Sequence, residues 1–250
     1  LPSLDGVPEC TLFSINNIPN IIGEIPSYNH QKLTILSIQA TGVTGNIPNF
    51  DMPELTSLRF GDDFCNWGNP GLTGEVPNFD FLPNLRIFRI SGSPLIVGVI
   101  PDFSNCPKLN QITLCGIGFS GQIPTFNSTS LTSINIIGNE NIIGNIPSFS
   151  SLNLVRLRIS QQGIVGSIPD LSSHTNMNYL SLNCSLTGTI PDFSANIKLE
   201  TVTFYKNNFS GALPTFEFHP YLKTLYCREN NLSGNIPDFK NHGYYKAETF

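Results

Sequence analysis

The sequence predicts a right-handed solenoid: a parallel β-sheet lines one concave side, and turns with short 3-10 segments form the convex side. Three observations predict it. A tetrad Gly-x-(Ile/Val/Leu)-Pro recurs ten times, with its glycines at Gly23, Gly45, Gly74, Gly98, Gly121, Gly144, Gly166, Gly188, Gly211 and Gly234. Two residues after each proline stands an aromatic residue or leucine, from Tyr28 and Phe50 through Leu171 to Phe239. After a short turn comes apolar-x-x-apolar-x-apolar, as in Leu33-Leu36-Ile38, Leu109-Ile112-Leu114 and Leu199-Val202-Phe204. The glycine spacings run from 22 to 29 residues, which marks one supersecondary unit per repeat.

Each part of the unit has a physical role. The end of the apolar segment alternates in and out, which is strand periodicity. One such strand cannot bury its apolar side alone, so successive turns stack into a parallel sheet over a continuous core. The tetrad glycine makes a turn without a Cβ penalty. The proline fixes φ where no ladder donor is needed. The aromatic column is expected to stack on itself along the far side of the core, each pair adding ~0.5–1.5 kcal/mol beyond burial.

Composition agrees. Only 12% of the 250 residues are charged, while Gly and Pro together number 40, which suits a backbone that turns often. A net charge of −5 argues against nucleic acid as a partner. No run approaches the ~20 apolar residues of a membrane span, so a membrane anchor would lie outside this segment. The chain reads as one solenoid over residues 1–250, about 10–11 repeats of 22–24 residues, with an insertion at 62–71. It starts and stops in mid-repeat, so a piece of a longer protein is expected, with end-to-end self-association as the alternative.

Leu225 to Pro237, with Leu225, Asn230, Leu232, Gly234, Ile236 and Pro237 in frame, resembles the plant-type leucine-rich repeat LxLxxNxLxGxIP. That family includes plant receptor-kinase ectodomains, polygalacturonase-inhibiting proteins and surface proteins of social amoebae. The form at Ile100–Ser104 and Ile190–Ser194 is also similar to a subset of receptor kinases. The resemblance implies a β-rich member of the α/β horseshoe class. It also implies an asparagine ladder after each strand. Asn207 and Asn230 fit that ladder, whereas Thr41, Gln162 and Ile117 stand at the matching places elsewhere, and Ile117 would need water or a shifted turn to serve its backbone.

The positions between the inward residues should face the concave side. These thirty positions hold no Asp or Glu, yet five of the six arginines: Arg59, Arg89, Arg156, Arg158 and Arg228. An even scatter would place fewer than one there. With Tyr179, Tyr205 and Tyr226 they suggest a face for a protein or acidic glycan ligand, since guanidinium forks match carboxylates and tyrosine is a rigid amphipathic contact. The competing explanation is that arginine suits an exposed strand and packs its stem on neighbours. In the insertion, Phe64 and Trp67 are further contact candidates, or fold back on adjacent repeats.

Other signals are structural. Sequons occur at Asn127, Asn183, Asn208 and Asn231, a number that matches chance; Asn208 and Asn231 sit in exposed turns where glycans would be tolerated, whereas a glycan on Asn183 would block the concave face. His30, His174, His219 and His242 fall three residues before a strand's first apolar residue, a half-buried turn slot. Two neighbouring histidines make a poor zinc site. Cys10 and Cys227 read as small hydrophobes, and the sparse spacing favours free thiols over a bridge between Cys65 and Cys115. Asp102, Asp170, Asp192 and Asp238 read as turn caps. No catalytic, cofactor or metal set emerges. The expected function is non-catalytic recognition outside the cell, in a receptor or adhesion protein. Inhibition of a carbohydrate-degrading enzyme and a stacking structural protein are the alternatives.

Overall fold

In the computed structural model, which describes residues 1–62, 65–66 and 68–237, every regular element is a β-strand. Ten strands pair in parallel along one face: Leu12–Glu24, Ile35–Asn46, Ser57–Phe60, Ile87–Ser93, Gln111–Ile117, Ser133–Ile137, Arg156–Ser160, Tyr179–Asn183, Thr201–Thr203 and Thr224–Tyr226. The register is that of the repeat. Leu157, for example, lies opposite Ile134 on one side and Leu180 on the other. Alternation then sorts the side chains: Leu157 and Ile159 are fully buried, while Arg156, Arg158 and Ser160 point to the other side.

On the convex side, short strands such as Gly71–Glu75, Ile96–Val97, Ile164–Val165 and Asn208–Gly211 follow the concave ones. Each runs into the tetrad, whose glycines all adopt positive φ, from +74° at Gly74 to +103° at Gly23. The 3-10 segments expected beyond the proline are absent among the described residues. Instead six repeats, those at Leu4, Phe79, Phe103, Leu171, Phe193 and Phe216, make two single turns end to end, as in Cys106 N–H to the Phe103 carbonyl (2.9 Å) and Leu109 N–H to the Cys106 carbonyl (3.0 Å). The reason lies at the aromatic position. Phe79, Phe103, Phe126, Phe193 and Phe216 hold φ between +52° and +56°, which ends any right-handed run. Left-handed φ costs such a residue about 1–2 kcal/mol, and full burial of the ring offsets that cost.

The aromatic column stacks as expected, but in segments. Phe103, Phe126 and Phe149 follow one another at centroid distances of 6.2 and 6.3 Å, and Phe193 meets Phe216 at 6.3 Å. Leu171 interrupts it between Phe149 and Phe193. Phe239 lies outside the described residues.

Two polar ladders serve the backbone, and here several expectations need correction. Ile117 requires neither water nor a shifted turn, because Asn139 Oδ1 of the next repeat accepts its N–H at 3.2 Å. The ladder is also longer than the motif suggests. Asn69 accepts from Thr41 N–H and donates to the Ile38 and Phe60 carbonyls. Asn139 donates to the Leu114 and Ile137 carbonyls. Gln161, not Gln162, takes the slot in a repeat one residue shorter, and accepts from Asn139 N–H at 2.9 Å. The second ladder is the histidine slot, which is fully rather than half buried: His30, His174 and His219 are at most 5% exposed. There His30 Nε2 meets the Val7 carbonyl and His219 Nε2 the Phe193 carbonyl, both at 3.0 Å. Ser128, Ser151 and Asn196 fill the same slot and donate to carbonyls of the preceding repeat. His242 lies outside the described residues.

The insertion folds over its neighbour. Gly61 and Gly68 lie so close to Ser91 that a Cβ on either would fall about 2 Å from it. Cys65 reaches across the intervening repeat to form a disulfide with Cys115, with Cα atoms 5.6 Å apart. This overturns the expectation of two free thiols. The loop's own extra residues supply the reach that repeat spacing alone denies. The remaining cysteines behave as hydrophobes: burial pushes the Cys184 and Cys227 thiols up to about 12.

Candidate ligand-binding face

Strand register converts the concave residues into columns. One column runs Ser37, Arg59, Arg89, Thr113, Asn135, Arg158, Ser181, Thr203, Tyr226. The adjoining column places Gln111, Ser133, Arg156, Tyr179 and Thr201 side by side. Because the rows are set by strand pairing, arginines that are far apart in sequence become neighbours. Arg89, Gln111, Thr113, Asn135, Arg156 and Arg158 line one open concavity of about 570 Å³.

The polar atoms there are only partly satisfied by the protein. Arg89 Nη2 donates to Gln111 Oε1 at 3.0 Å. Arg156 lies flat over Tyr179, its guanidinium carbon 3.7 Å from the ring centroid. Asn135 is only 8% exposed, yet its Oδ1 has no hydrogen-bond partner, and neither has the buried Arg158 Nε. Buried polar atoms are rarely left so. Arg156, Arg158 and Arg228 make no ion pair among the described residues; the carboxylate pairs at Glu9–Lys32 and Glu200–Lys223 lie off this face.

A second cluster forms three strands away. Tyr205 and Tyr226 meet at 6.1 Å, and the Arg228 guanidinium lies 4.9 Å from one ring and 5.0 Å from the other. Arg59 stands next to Arg89 on the neighbouring strand but does not line the concavity, and it donates its Nε–H to Ser57 Oγ at 2.8 Å. Phe64 and Trp67 lie outside the described residues. Sequence reasoning missed Gln111, Thr113 and Asn135 as lining residues, because nothing in their identity separates them from other polar strand residues. Asn127, Asn208 and Asn231 are exposed and none belongs to the ten concave strands. Asp102, Asp170 and Asp192 do cap turns, each accepting from the N–H of the serine two residues on, while Asp238 lies outside the described residues. That bond holds the Asp170 and Asp192 carboxyls below the usual carboxylate value.

A family model described as Leucine Rich Repeat matches residues 221–241. Its match falls on the repeat whose asparagine, Asn230, accepts from Phe209 N–H and donates to the Phe204 and Cys227 carbonyls. The fold of the chain is that of a leucine-rich-repeat solenoid. Solved structures of plant receptors carry the same fold. The PEPR1–AtPEP1 structure shares 29% identity at a TM-score of 0.74, over 93% of this chain and 34% of the other. The plant peptide hormone receptor RGFR1, solved in complex with RGF2, shares 25% identity at a TM-score of 0.73, over 90% of this chain. The leucine-rich-repeat chain described here spans 37% of that receptor chain's length. A plant ice-binding protein, 22% identical with a TM-score of 0.71 over 91% of this chain and 75% of its own, shares the fold alone. No curated protein matches the chain. No helix among the described residues is long and apolar enough to cross a membrane.

Proposed function

We propose that this chain is a non-catalytic recognition module whose concave face binds an acidic peptide or protein segment outside the cell. One observation carries the proposal: strand register gathers Arg89, Arg156 and Arg158 around one concavity, on a face whose strand positions hold no carboxylate, in a protein of net charge −5. Guanidinium groups in that setting favour a ligand carboxylate, since they offer planar paired donors. The buried Asn135 Oδ1 awaits a donor, which a peptide N–H or hydroxyl would supply.

The structural relatives support a peptide. PEPR1 and RGFR1 were solved with AtPEP1 and RGF2, and both are at least 25% identical to this chain. The Cys65–Cys115 bridge supports an oxidising compartment. In that compartment Asn127, Asn208 and Asn231 are open to glycosylation without blocking the concave face. The proposed site is Arg59, Arg89, Arg156, Arg158, Tyr179, Tyr205, Tyr226 and Arg228, with Phe64 and Trp67 of the insertion as further candidates from the sequence.

The test is a pull-down and titration against acidic peptides and acidic oligosaccharides, comparing the parent chain with an Arg156→Ala/Arg158→Ala variant. Loss of peptide binding in the variant is expected. Equal binding by both proteins would sink the proposal, and binding of the oligosaccharide alone would replace the ligand class.

A further inference from the structure

We propose that the concave face measures its ligand, taking a peptide with two acidic groups roughly four to five residues apart, one at Arg156 and Arg158 and the other at Arg228. This rests on the peptide-binding function above and adds a spacing rule to it.

The two ends are built alike. Arg156 lies on Tyr179 at 3.7 Å, and Arg228 lies on Tyr205 and Tyr226 at 4.9 and 5.0 Å. Lys206 adds a second cation 5.2 Å from Tyr205. A carboxylate partner would orient an arginine but also neutralise it. A ring face orients the guanidinium and leaves its charge and edge donors for a ligand. Among the described residues, neither arginine has an ion-pair partner. Beside Arg156, the unpartnered Asn135 Oδ1 and Arg158 Nε supply one acceptor and one donor in the same concavity.

Between the ends the face carries no charge. Ser181, Asn183, Thr201 and Thr203 occupy the two intervening strands, with Tyr179 and Tyr205 at their borders. A ligand charge placed there would lose water and gain no counter-charge. The distance follows from the register: Arg156–Ser160, Tyr179–Asn183, Thr201–Thr203 and Thr224–Tyr226 are successive neighbours. Three intervals of ~4.8 Å make about 14 Å across the strands, and Arg228 stands two residues beyond Tyr226, the register partner of Arg158, which adds ~7 Å along the strand and gives about 16 Å in all. An extended peptide advances ~3.3–3.6 Å per residue, so roughly four to five residues cover it.

The experiment uses neutral-capped fluorescent peptides carrying two aspartates separated by one, three or six serines, all of equal charge. Anisotropy titrations at low salt compare the parent chain with Arg228→Gln and with Arg156→Ala/Arg158→Ala, each checked for a native circular dichroism spectrum. The three-serine peptide should bind about tenfold or more tighter than the one-serine peptide, as fits one added charge-assisted contact. Arg228→Gln should erase that preference, lowering the affinity of the three-serine peptide to that of the one-serine peptide. Equal affinity at all spacings, with binding still lost in Arg156→Ala/Arg158→Ala, would overturn the spacing rule but keep the binding face. If no acidic peptide binds, or only oligogalacturonate does, the spacing rule and the peptide-binding function both fail.

Discussion

Replacing Asn139 by alanine tests the ladder that joins one repeat to the next. Its side chain is fully buried, accepts from Ile117 N–H at 3.2 Å, and donates to the Leu114 and Ile137 carbonyls at 3.2 and 3.1 Å. Three backbone groups therefore lose a partner where water has no access. Each orphaned group costs about 1–3 kcal/mol. Taking the low end, because a carbonyl keeps a second lone pair, the loss is about 3 kcal/mol. That is roughly a hundredfold shift in the folded-to-unfolded ratio. Urea denaturation followed by circular dichroism reads the shift in midpoint, with an unchanged slope as the check that the solenoid still unfolds as a unit. Amide exchange at Ile117, followed by NMR, reads the same bond locally and should lose its protection. Asn145→Ala is the control: that residue is exposed, and a change within about 0.5 kcal/mol is expected. A loss below about 1 kcal/mol in Asn139→Ala, with Ile117 still protected, would show that the ladder is decoration.

Three further perturbations follow from the packing. Phe126→Ala removes a ring stacked between Phe103 and Phe149 and should cost about 3–5 kcal/mol, measured by the same denaturation; a loss under 1 kcal/mol would mean that the column can collapse. Gly163→Ala would set a Cβ 2.2 Å from the Ile142 carbonyl oxygen, so about 1–3 kcal/mol of strain is expected, whereas Gly6→Ala, with nothing within 4 Å, should be neutral. Burial holds the His174 imidazole below its usual pKa, against the opposing pull of the Ser151 backbone and of Asp170. The unfolded chain then binds a proton that the folded chain refuses, so stability should fall as pH drops through about 6.5. His174→Met, copying the residue at the equivalent Met52, should flatten that dependence; an identical pH profile would discard the assignment.

The solenoid was legible because its determinants are local and repeated. Glycines at Gly23 through Gly234, the inward triplets and the aromatic column each recur at one spacing, and ten copies outweigh any single exception. The concave positions of Arg89, Arg156 and Arg158 could be read for the same reason, since strand alternation assigns sides without reference to anything distant. The sequence by itself thus determined the repeat, the side on which each strand residue points and the absence of carboxylates from the thirty concave positions.

Tertiary structure decided what one repeat does to another. Whether Ile117 is served depends on Asn139, 22 residues on, and on a register that no single repeat encodes. Left-handed φ at Phe103 is paid back by burial between neighbours, which no local propensity foretells. The Cys65–Cys115 bridge depends on an insertion reaching over the repeat between. The grouping of Arg89 with Arg156 and Arg158, and the separation of that group from Arg228, comes from strand order and strand spacing. Side-chain direction is a property of one strand, but distance across the face is a property of the stack.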